Sequence, residues 1–441
     1  MAYHSQGEFY AGVPEHLVRR TVPRVSEWIV DLSAHHGAER RCLVTRIIDD
    51  LDAIAAVVTQ RSESIFATAM RDRRDALREG FSGKCVMMTG GAGFIATQTL
   101  KQILPFGPQT VVVVDSDENR MAELIRTLRS AGLVPSGTRI EPRLVDITTP
   151  LVGRLMDEWD GVDICLQFAA AKHVRTERDP VSLLRMLQVN LLGTMDLTAA
   201  LLEHFDRSSL FVVSTDKAAD PSSFMGASKR LMEMAVLGTY PQSTTTRFAN
   251  VAFSNGSLLE SWILRLRQGQ PLAVPADTWR YFVTPQEAGQ LCALAATAPP
   301  GSVVVPDESV TGLVELSEAL ERVLATEGRR ARFFTDESAL EPAATGAATY
   351  PVVVSPRDTA GEKHSEKFVG DREDRQPWAP NLGLVHTAHH AAAALEFSEW
   401  LRSVIDDPKM PTDLADLARR MSSALPEFAH IASVKRLDDR I

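Results

Sequence analysis

Three features of the sequence predict an α/β fold built on a doubly wound parallel sheet. From residue 84 onward it carries short, largely apolar runs of strand length, helical stretches separate them, and aspartates end two of the runs. Lys84–Met88 is the first run, followed by the glycine turn TGGAGFIA and a helix into Leu104. Val111–Val114 is the second, ending at Asp115, and Ile140–Val145 the third, ending at Asp146. Val162–Gln167 and Leu210–Ser214 complete the series. Ahead of the sheet, residues 15–80 read as helix, because Leu43, Ile47, Ile48, Leu51, Ile54 and Val58 recur at three- and four-residue spacing. Beyond about residue 250 the pattern becomes irregular, and the Ala/Pro/Thr-rich stretch 336–350 reads as a loop. Residues 388–441 return to helix, interrupted by Pro408 and Pro411. The expected organisation is therefore an N-terminal helical segment (1–80), a sheet domain (81–300), a smaller region partly interleaved with it (245–385), and a C-terminal helical segment (386–441).

Composition narrows the partners. In 441 residues, 44% are hydrophobic and 24% charged, the balance of an ordinary globular protein. The net charge of −10, with no long basic run, argues against nucleic acid. No apolar stretch approaches the ~20 residues of a membrane span, and MAYHSQGEFY lacks a charged-then-apolar leader pattern. A cytoplasmic protein with no membrane partner is expected. The four cysteines, Cys42, Cys85, Cys165 and Cys292, are too scattered for a disulfide framework or a Cys-type zinc site. His386, His389 and His390 share a helical face but have no neighbouring carboxylate or cysteine, so no metal is expected.

The glycine turn is the first chemical signal. Gly90 permits a tight turn, and Gly93 lets the backbone approach a pyrophosphate. The following helix start, at Phe94 and Ile95, offers free N–H groups and a positive dipole end to phosphates. Ala96 takes the place of the usual third glycine. Asp115 ends the next strand, where a carboxylate can accept from ribose hydroxyls and repel the extra phosphate of NADP. Asp146 and Ile147, after the third strand, fit an adenine contact. Together these predict a Rossmann-type NAD site.

The second signal is an absence. Short-chain dehydrogenases with this glycine spacing normally carry Tyr-x-x-x-Lys, in which lysine lowers the tyrosine pKa for proton transfer. The five tyrosines are Tyr3, Tyr10, Tyr240, Tyr281 and Tyr350, and none has lysine four residues on. At the expected place stand Met225 and Lys229, and a thioether accepts no proton at neutral pH. Either proton transfer is lost or other groups perform it. Thr215, Asp216 and Lys217 end the fifth apolar run, where doubly wound sheets place ligands. An adjacent carboxylate and ammonium suit an elimination, in which one group removes a proton beside a carbonyl and another protonates the departing hydroxyl. Taken alone, the pair also reads as a surface turn cap.

With these segments in hand, the chain resembles the nucleotide-sugar 4,6-dehydratases of the polysaccharide-biosynthesis (CapD-like) branch of the extended short-chain dehydrogenases. The resemblance rests on TGGAGFIA, AAAKHVRTERDP with NLLGT, STDKAADPSSFMGASKRLME, RFANVAFSNGSLLE, WRYFVTPQEA and AGEKHSEKF, in family order from about residue 82 to 375. It implies that NAD oxidises the sugar C4 hydroxyl, acidifying C5, and later returns hydride to C6. Lys217 would be the base at C5 and Asp216 the acid at the C6 hydroxyl, with Thr215 near the C4 oxygen. Lys229 would bind the nicotinamide ribose, while Ala169, Ala170, Lys172 and Asn190 would border the cofactor. His173, Arg247, Asn250, Ser257 and Arg280 would hold the substrate, the arginines suiting a diphosphate. The smaller region would then be substrate-binding, and a homo-oligomer is expected. Gln167 replaces a family histidine, Arg175 a proline and Ala249 a glycine. Those departures leave a second substrate class open, the sugar of a nucleoside, as in an exocyclic alkene of the angustmycin type. A non-catalytic NAD-binding scaffold is the reading of a different class.

Overall fold

The computed structural model describes residues 50–172, 177, 179–340, 347–356, 363–386, 391–407, 409–410 and 412–430. Fifteen strands run through these residues. The first six are β1 (Cys85–Thr89), β2 (Thr110–Asp115), β3 (Arg139–Leu144), β4 (Ile164–Gln167), β5 (Ser209–Val213) and β6 (Ser243–Thr246). They are followed by β7 (Asn250–Val251), β8 (Leu272–Pro275), β9 (Trp279–Val283), β10 (Ser302–Pro306), β11 (Leu313–Glu315), β12 (Arg330–Phe334) and β13 (Thr349–Ser355). Last come β14 (Asp374–Ala379) and β15 (Leu382–His386).

The main sheet has the order β3-β2-β1-β4-β5-β6-β10-β15-β14. All pairings from β3 to β10 are parallel, and β15 and β14 add an antiparallel edge. The expected α/β doubly wound sheet is thus present. Its strand order reverses beside β1, between β2 and β4, which opens a ligand crevice at the strand C-termini. Alternate residues of each strand feed opposite core layers. Met87, Val112, Cys165 and Val212 face one layer, and Val86, Met88, Val111, Leu166 and Phe211 the other. β1, β2, β4 and β5 are covered on both faces and read as apolar runs, whereas β3, at the edge of the sheet, is partly exposed and carries Glu141 and Arg143.

The described part of the N-terminal helical stretch is not continuous. It forms Leu51–Thr59, Ala67–Asp72 and Arg74–Phe81. Asp50 caps the first helix through its side chain, and Gln60, at φ 55°, closes it in the left-handed region. Where the sequence reads as irregular, beyond 250, the chain builds two three-stranded sheets, β11-β9-β7 and β12-β13-β8. Several of these strands hold only two to five residues, too few to show a period. The C-terminal stretch provides helices Ala391–Asp406 and Leu414–Ala424, and the first of these packs on helix Phe224–Thr239. Among the described residues no helix is long and apolar enough to cross a membrane.

Candidate active site

The glycine loop is shaped by close approach. Gly90 has φ 62°, and a Cβ there would lie 2.4 Å from the Ala169 nitrogen. A Cβ on Gly91 would lie 2.6 Å from Val113 Cγ1, and one on Gly93 would lie 2.9 Å from the Gly90 carbonyl oxygen. Only glycine lets the loop pass between β1, β2 and the segment after β4. Helix Phe94–Ile103 then starts with no side-chain cap on its first N–H groups. Phe94 and Ile95 are half-buried, and Ala96 is buried against the sheet. Asp115 Oδ2 accepts from Ala92 N–H at 2.9 Å and Oδ1 from Asp117 N–H at 3.0 Å. Its carboxylate is therefore aimed at the mouth of the loop, with lone pairs left on both oxygens.

The third-strand aspartate is more committed. Asp146 Oδ1 accepts from the Thr148 N–H (2.9 Å) and hydroxyl (2.8 Å), and Oδ2 pairs with Arg185 at 2.7 Å. Burial works against ionisation there, yet Thr148 and Arg185 hold the carboxyl below its usual range. Ile147 is buried under Gly193, where a Cβ would come within 3.1 Å of it.

Asn190 is placed beneath the glycine loop's neighbouring segment. It is fully buried in the π-helical turn Gln188–Gly193, and its amide is spent within the protein. Oδ1 accepts from Ala171 N–H (2.8 Å), while Nδ2 donates to the Ala171 carbonyl and to Ser228 Oγ, both at 3.0 Å. Through these bonds Asn190 fixes the segment Ala169–Ala170–Ala171 beside the glycine loop. Gln167 does similar work: it accepts from Thr89 Oγ1 (3.1 Å) and donates to the Ala169 carbonyl (3.1 Å) and Thr194 Oγ1 (2.6 Å). Lys172 stands exposed at the end of this segment, and His173 lies outside the described residues.

At the end of β5, Thr215 caps a single 3-10 turn, Asp216–Ala218. Asp216 is 1% exposed, and its Oδ1 accepts from Thr215 Oγ1 (2.8 Å), Lys217 N–H (2.9 Å) and Lys217 Nζ (3.1 Å). Oδ2 is buried and has no hydrogen-bond partner among the described residues. Lys217 Nζ also lies 3.9 Å from Glu366 Oε1. Burial disfavours the Lys217 ammonium, but the Asp216 and Glu366 carboxylates outweigh it and hold the group charged above its ordinary value. Helix Phe224–Thr239 presses on this turn at Gly226, where a Cβ would sit 2.5 Å from the Lys217 carbonyl oxygen. Met225, in the first turn of that helix, is buried, and its N–H donates to Glu177 Oε1 at 2.9 Å. One turn on, Lys229 is buried with Nζ donating to the Val213 carbonyl at 3.0 Å. Burial depresses it to about 8, with Glu233 opposing.

The expected substrate residues separate into two groups. Arg280 lies near the Asp216–Lys217 turn, where its charge acts on Lys217 and Glu366, and it donates to the carbonyls of Trp279 (2.8 Å) and Lys363 (2.9 Å). Arg247 is placed in the interior, 0% exposed. Its five N–H donors are all engaged, by both oxygens of Glu233, both oxygens of Glu373 and the Phe368 carbonyl. Asn250 Nδ2 makes a long contact to the Tyr281 carbonyl (3.4 Å), and Ser257 caps helix Leu258–Gln268 by accepting from Glu260 N–H. Sequence reasoning missed two carboxylates, Glu177 and Glu366. Both lie within segments quoted for the resemblance, yet neither spacing nor residue type marked them. His386 ends β15, while His389 and His390 lie outside the described residues. Among the described residues no group of three metal-ligating side chains forms.

Comparison with known proteins agrees with this architecture. A profile for a family described as "Polysaccharide biosynthesis protein" matches residues 86–377. The capsular polysaccharide biosynthesis protein CapD of Staphylococcus aureus is 31% identical over 51% of this chain and 38% of its own length. A UDP-glucose 4-epimerase of Rickettsia rickettsii is 27% identical over 46% of this chain and 59% of its own. The chain thus spans well under two-thirds of either relative. Among solved structures, Pen from Bacillus thuringiensis superposes with a TM-score of 0.56 over 70% of this chain and 88% of that one, at 19% identity, a likeness of fold.

Proposed function

The chain belongs to this polysaccharide-biosynthesis family, and within it we propose that it is an NAD-dependent dehydratase acting on a sugar carried by a nucleotide, removing water by 4,6-elimination. NAD fits the site on two observations: a glycine loop no side chain could occupy, and Asp115 aimed at its mouth. Gly90, Gly93, Phe94 and Ile95 would hold the pyrophosphate, Asp115 the ribose, and Lys229 the nicotinamide side. When bound, NAD supplies a hydride acceptor that also returns the hydride, so no net oxidation results.

The chain's own residues do the proton work. Lys217 takes the C5 proton, made acidic by a ketone at C4. Asp216 delivers a proton to the departing C6 hydroxyl from Oδ2, the oxygen that has no partner among the described residues. Thr215 orients Asp216 by donating to Oδ1, which leaves Oδ2 uncommitted. Arg280, whose charge is felt at Lys217 and Glu366, would bind a phosphate of the substrate. The observation that carries this reading is the buried, unpartnered Asp216 oxygen beside an ammonium, in a site where Met225 replaces the usual proton-transferring tyrosine.

One observation favours a second substrate class. Arg247, one of two arginines suited to a diphosphate, is locked inside the protein. A nucleoside bearing the sugar directly needs no such clamp. Incubation with UDP-, GDP- and dTDP-sugars and with nucleosides, followed by mass spectrometry for loss of water, separates the two. On the substrate so identified, Met225→Leu should cost less than about tenfold, being nearly volume-conserving. Asp216→Asn and Lys217→Ala should each cost about 10²–10⁴-fold, the usual worth of a positioned acid or base. Near-full activity in either charged-group variant would sink the assignment.

A further inference from the structure

We propose that Glu366 is a positioning residue and the third proton-handling member of the Asp216–Lys217 site, taking the ammonium proton of Lys217 so that this lysine can act as base. The inference rests on the dehydratase reading and deepens it. Its physical ground is the Lys217 ammonium lying between two carboxylates, Asp216 Oδ1 at 3.1 Å and Glu366 Oε1 at 3.9 Å, both almost wholly buried.

Counting protons shows why a third group is needed. The folded site starts with Lys217 as ammonium and Asp216 as carboxylate, one proton between them. Oxidation of the C4 hydroxyl sends hydride to the cofactor and releases one proton into the site. If Asp216 takes it, the acid is ready for the C6 hydroxyl, but Lys217 is still protonated and no base remains for C5. The tyrosine that would otherwise hold a proton is Met225 here. Transfer from Lys217 Nζ to Glu366 Oε1 leaves a neutral amine and a neutral carboxylic acid, and the amine is then free to take the C5 proton. Asp216 gives its proton to the C6 hydroxyl, which departs as water. When hydride returns to C6, Lys217 gives its proton back to C5. Glu366 then returns its proton to Lys217, so every group ends as it began.

The setting of Glu366 suits the task. Burial raises its carboxyl above the ordinary range and Asp216 raises it further, against the opposing charges of Lys217, Arg280 and Lys363. These, with Asp216, are the charged groups that face the pair. The segment carrying it is pinned at both ends. Lys363 Nζ pairs with Asp220 at 2.8 Å, and Arg280 donates to the Lys363 and His364 carbonyls. Beyond it, the Phe368 carbonyl accepts from Arg247 at 3.1 Å, and the Phe368 N–H donates to Glu308 at 3.2 Å. A carboxylate held this firmly stays beside Lys217, and one bridging water or a small side-chain shift closes the 3.9 Å between Oε1 and Nζ to proton-transfer reach.

Two readouts test the proposal. The first needs no turnover: labelling of Lys217 by acetic anhydride, followed by mass spectrometry across pH 6–10, reports its protonation. In Glu366→Gln, which removes one of the two charges holding the ammonium, Lys217 should label several-fold faster near neutral pH. The second is the pH dependence of water loss. Glu366→Gln should lower kcat about 10²-fold at pH 7 with KM nearly unchanged. Activity should then recover as pH rises to 9 and Lys217 loses its proton to solvent. Glu366→Asp, which keeps the carboxylate, should restore part of the neutral-pH rate. Unchanged labelling together with a wild-type pH profile overturns the proposal, as does an equal loss at every pH that Glu366→Asp does not relieve. Faster labelling in a protein that dehydrates no sugar on the panel sinks the dehydratase reading while leaving the Lys217–Glu366 coupling in place.

Discussion

At Gly90 the chain turns with φ 62° while another backbone passes where a side chain would begin. Gly90→Ala combines left-handed strain, about 1–3 kcal/mol, with a collision that neither β1 nor the Ala169 segment can relieve. It should lower stability by at least that amount and weaken NAD binding more than tenfold, as read by calorimetric titration. Asp115→Ala is the cleaner probe, because it removes a carboxylate without adding bulk. It should weaken NAD more than any surface acid does, and a wild-type protein that prefers NADP to NAD would remove the role given to Asp115. Asn190 and Arg247 teach the complementary lesson. A polar residue in a matching motif need not face a ligand, since a fully satisfied amide or guanidinium can be structural cement.

Among the elements, helix Phe224–Thr239 is buried nearly along its whole length, and it carries Glu233 into the protein interior. Glu233 accepts from Ser214, at the end of β5, and pairs with Arg247 and Arg230, both of which also pair with Glu373. The network joins the end of β5 to the segment that carries Glu366. Replacing Arg247 with Met should cost about 3–5 kcal/mol, because it strands two buried carboxylates. Burial alone would raise the Glu373 carboxyl, but Arg247 and Arg230 bring it down to about 2. A carboxyl depressed on folding stabilises above its unfolded value near 4.5 and loses that contribution as pH falls toward 2. Urea unfolding should therefore show stability dropping between about pH 4.5 and 2. Arg247→Met should lack much of that drop, and an identical acid profile in both proteins would contradict the account.

On the scale of the whole molecule, the sheet is covered on one side by a layer that draws on both middle and end of the chain. Leu401 and Phe397, from helix Ala391–Asp406, join Met225, Leu231 and Val236 in the same core. Helix Leu414–Ala424 adds Leu417 and Met421. The C-terminal helices are thus structural partners of helix Phe224–Thr239. Leu401 is 0% exposed, and Leu401→Ala should destabilise by about 2–5 kcal/mol through lost burial and a residual cavity. Its lower denaturation midpoint should come with near-normal NAD affinity, since the glycine loop lies on the opposite core layer.

The sequence by itself determined the parallel sheet, the glycine loop with its acid at β2, and the adjacent Asp216–Lys217 pair. Each is local: a strand buried on both faces must be apolar throughout, a left-handed turn under a crossing backbone must be glycine, and neighbouring residues stay neighbours after folding. Only the tertiary structure decided that Arg247 is sealed among carboxylates, that Asn190 holds a backbone segment, and that Glu366 stands beside Lys217. Those outcomes depend on segments far apart in the chain meeting across the sheet's C-terminal edge. Burial and pairing between such segments leave no period or spacing in the sequence from which they could be read.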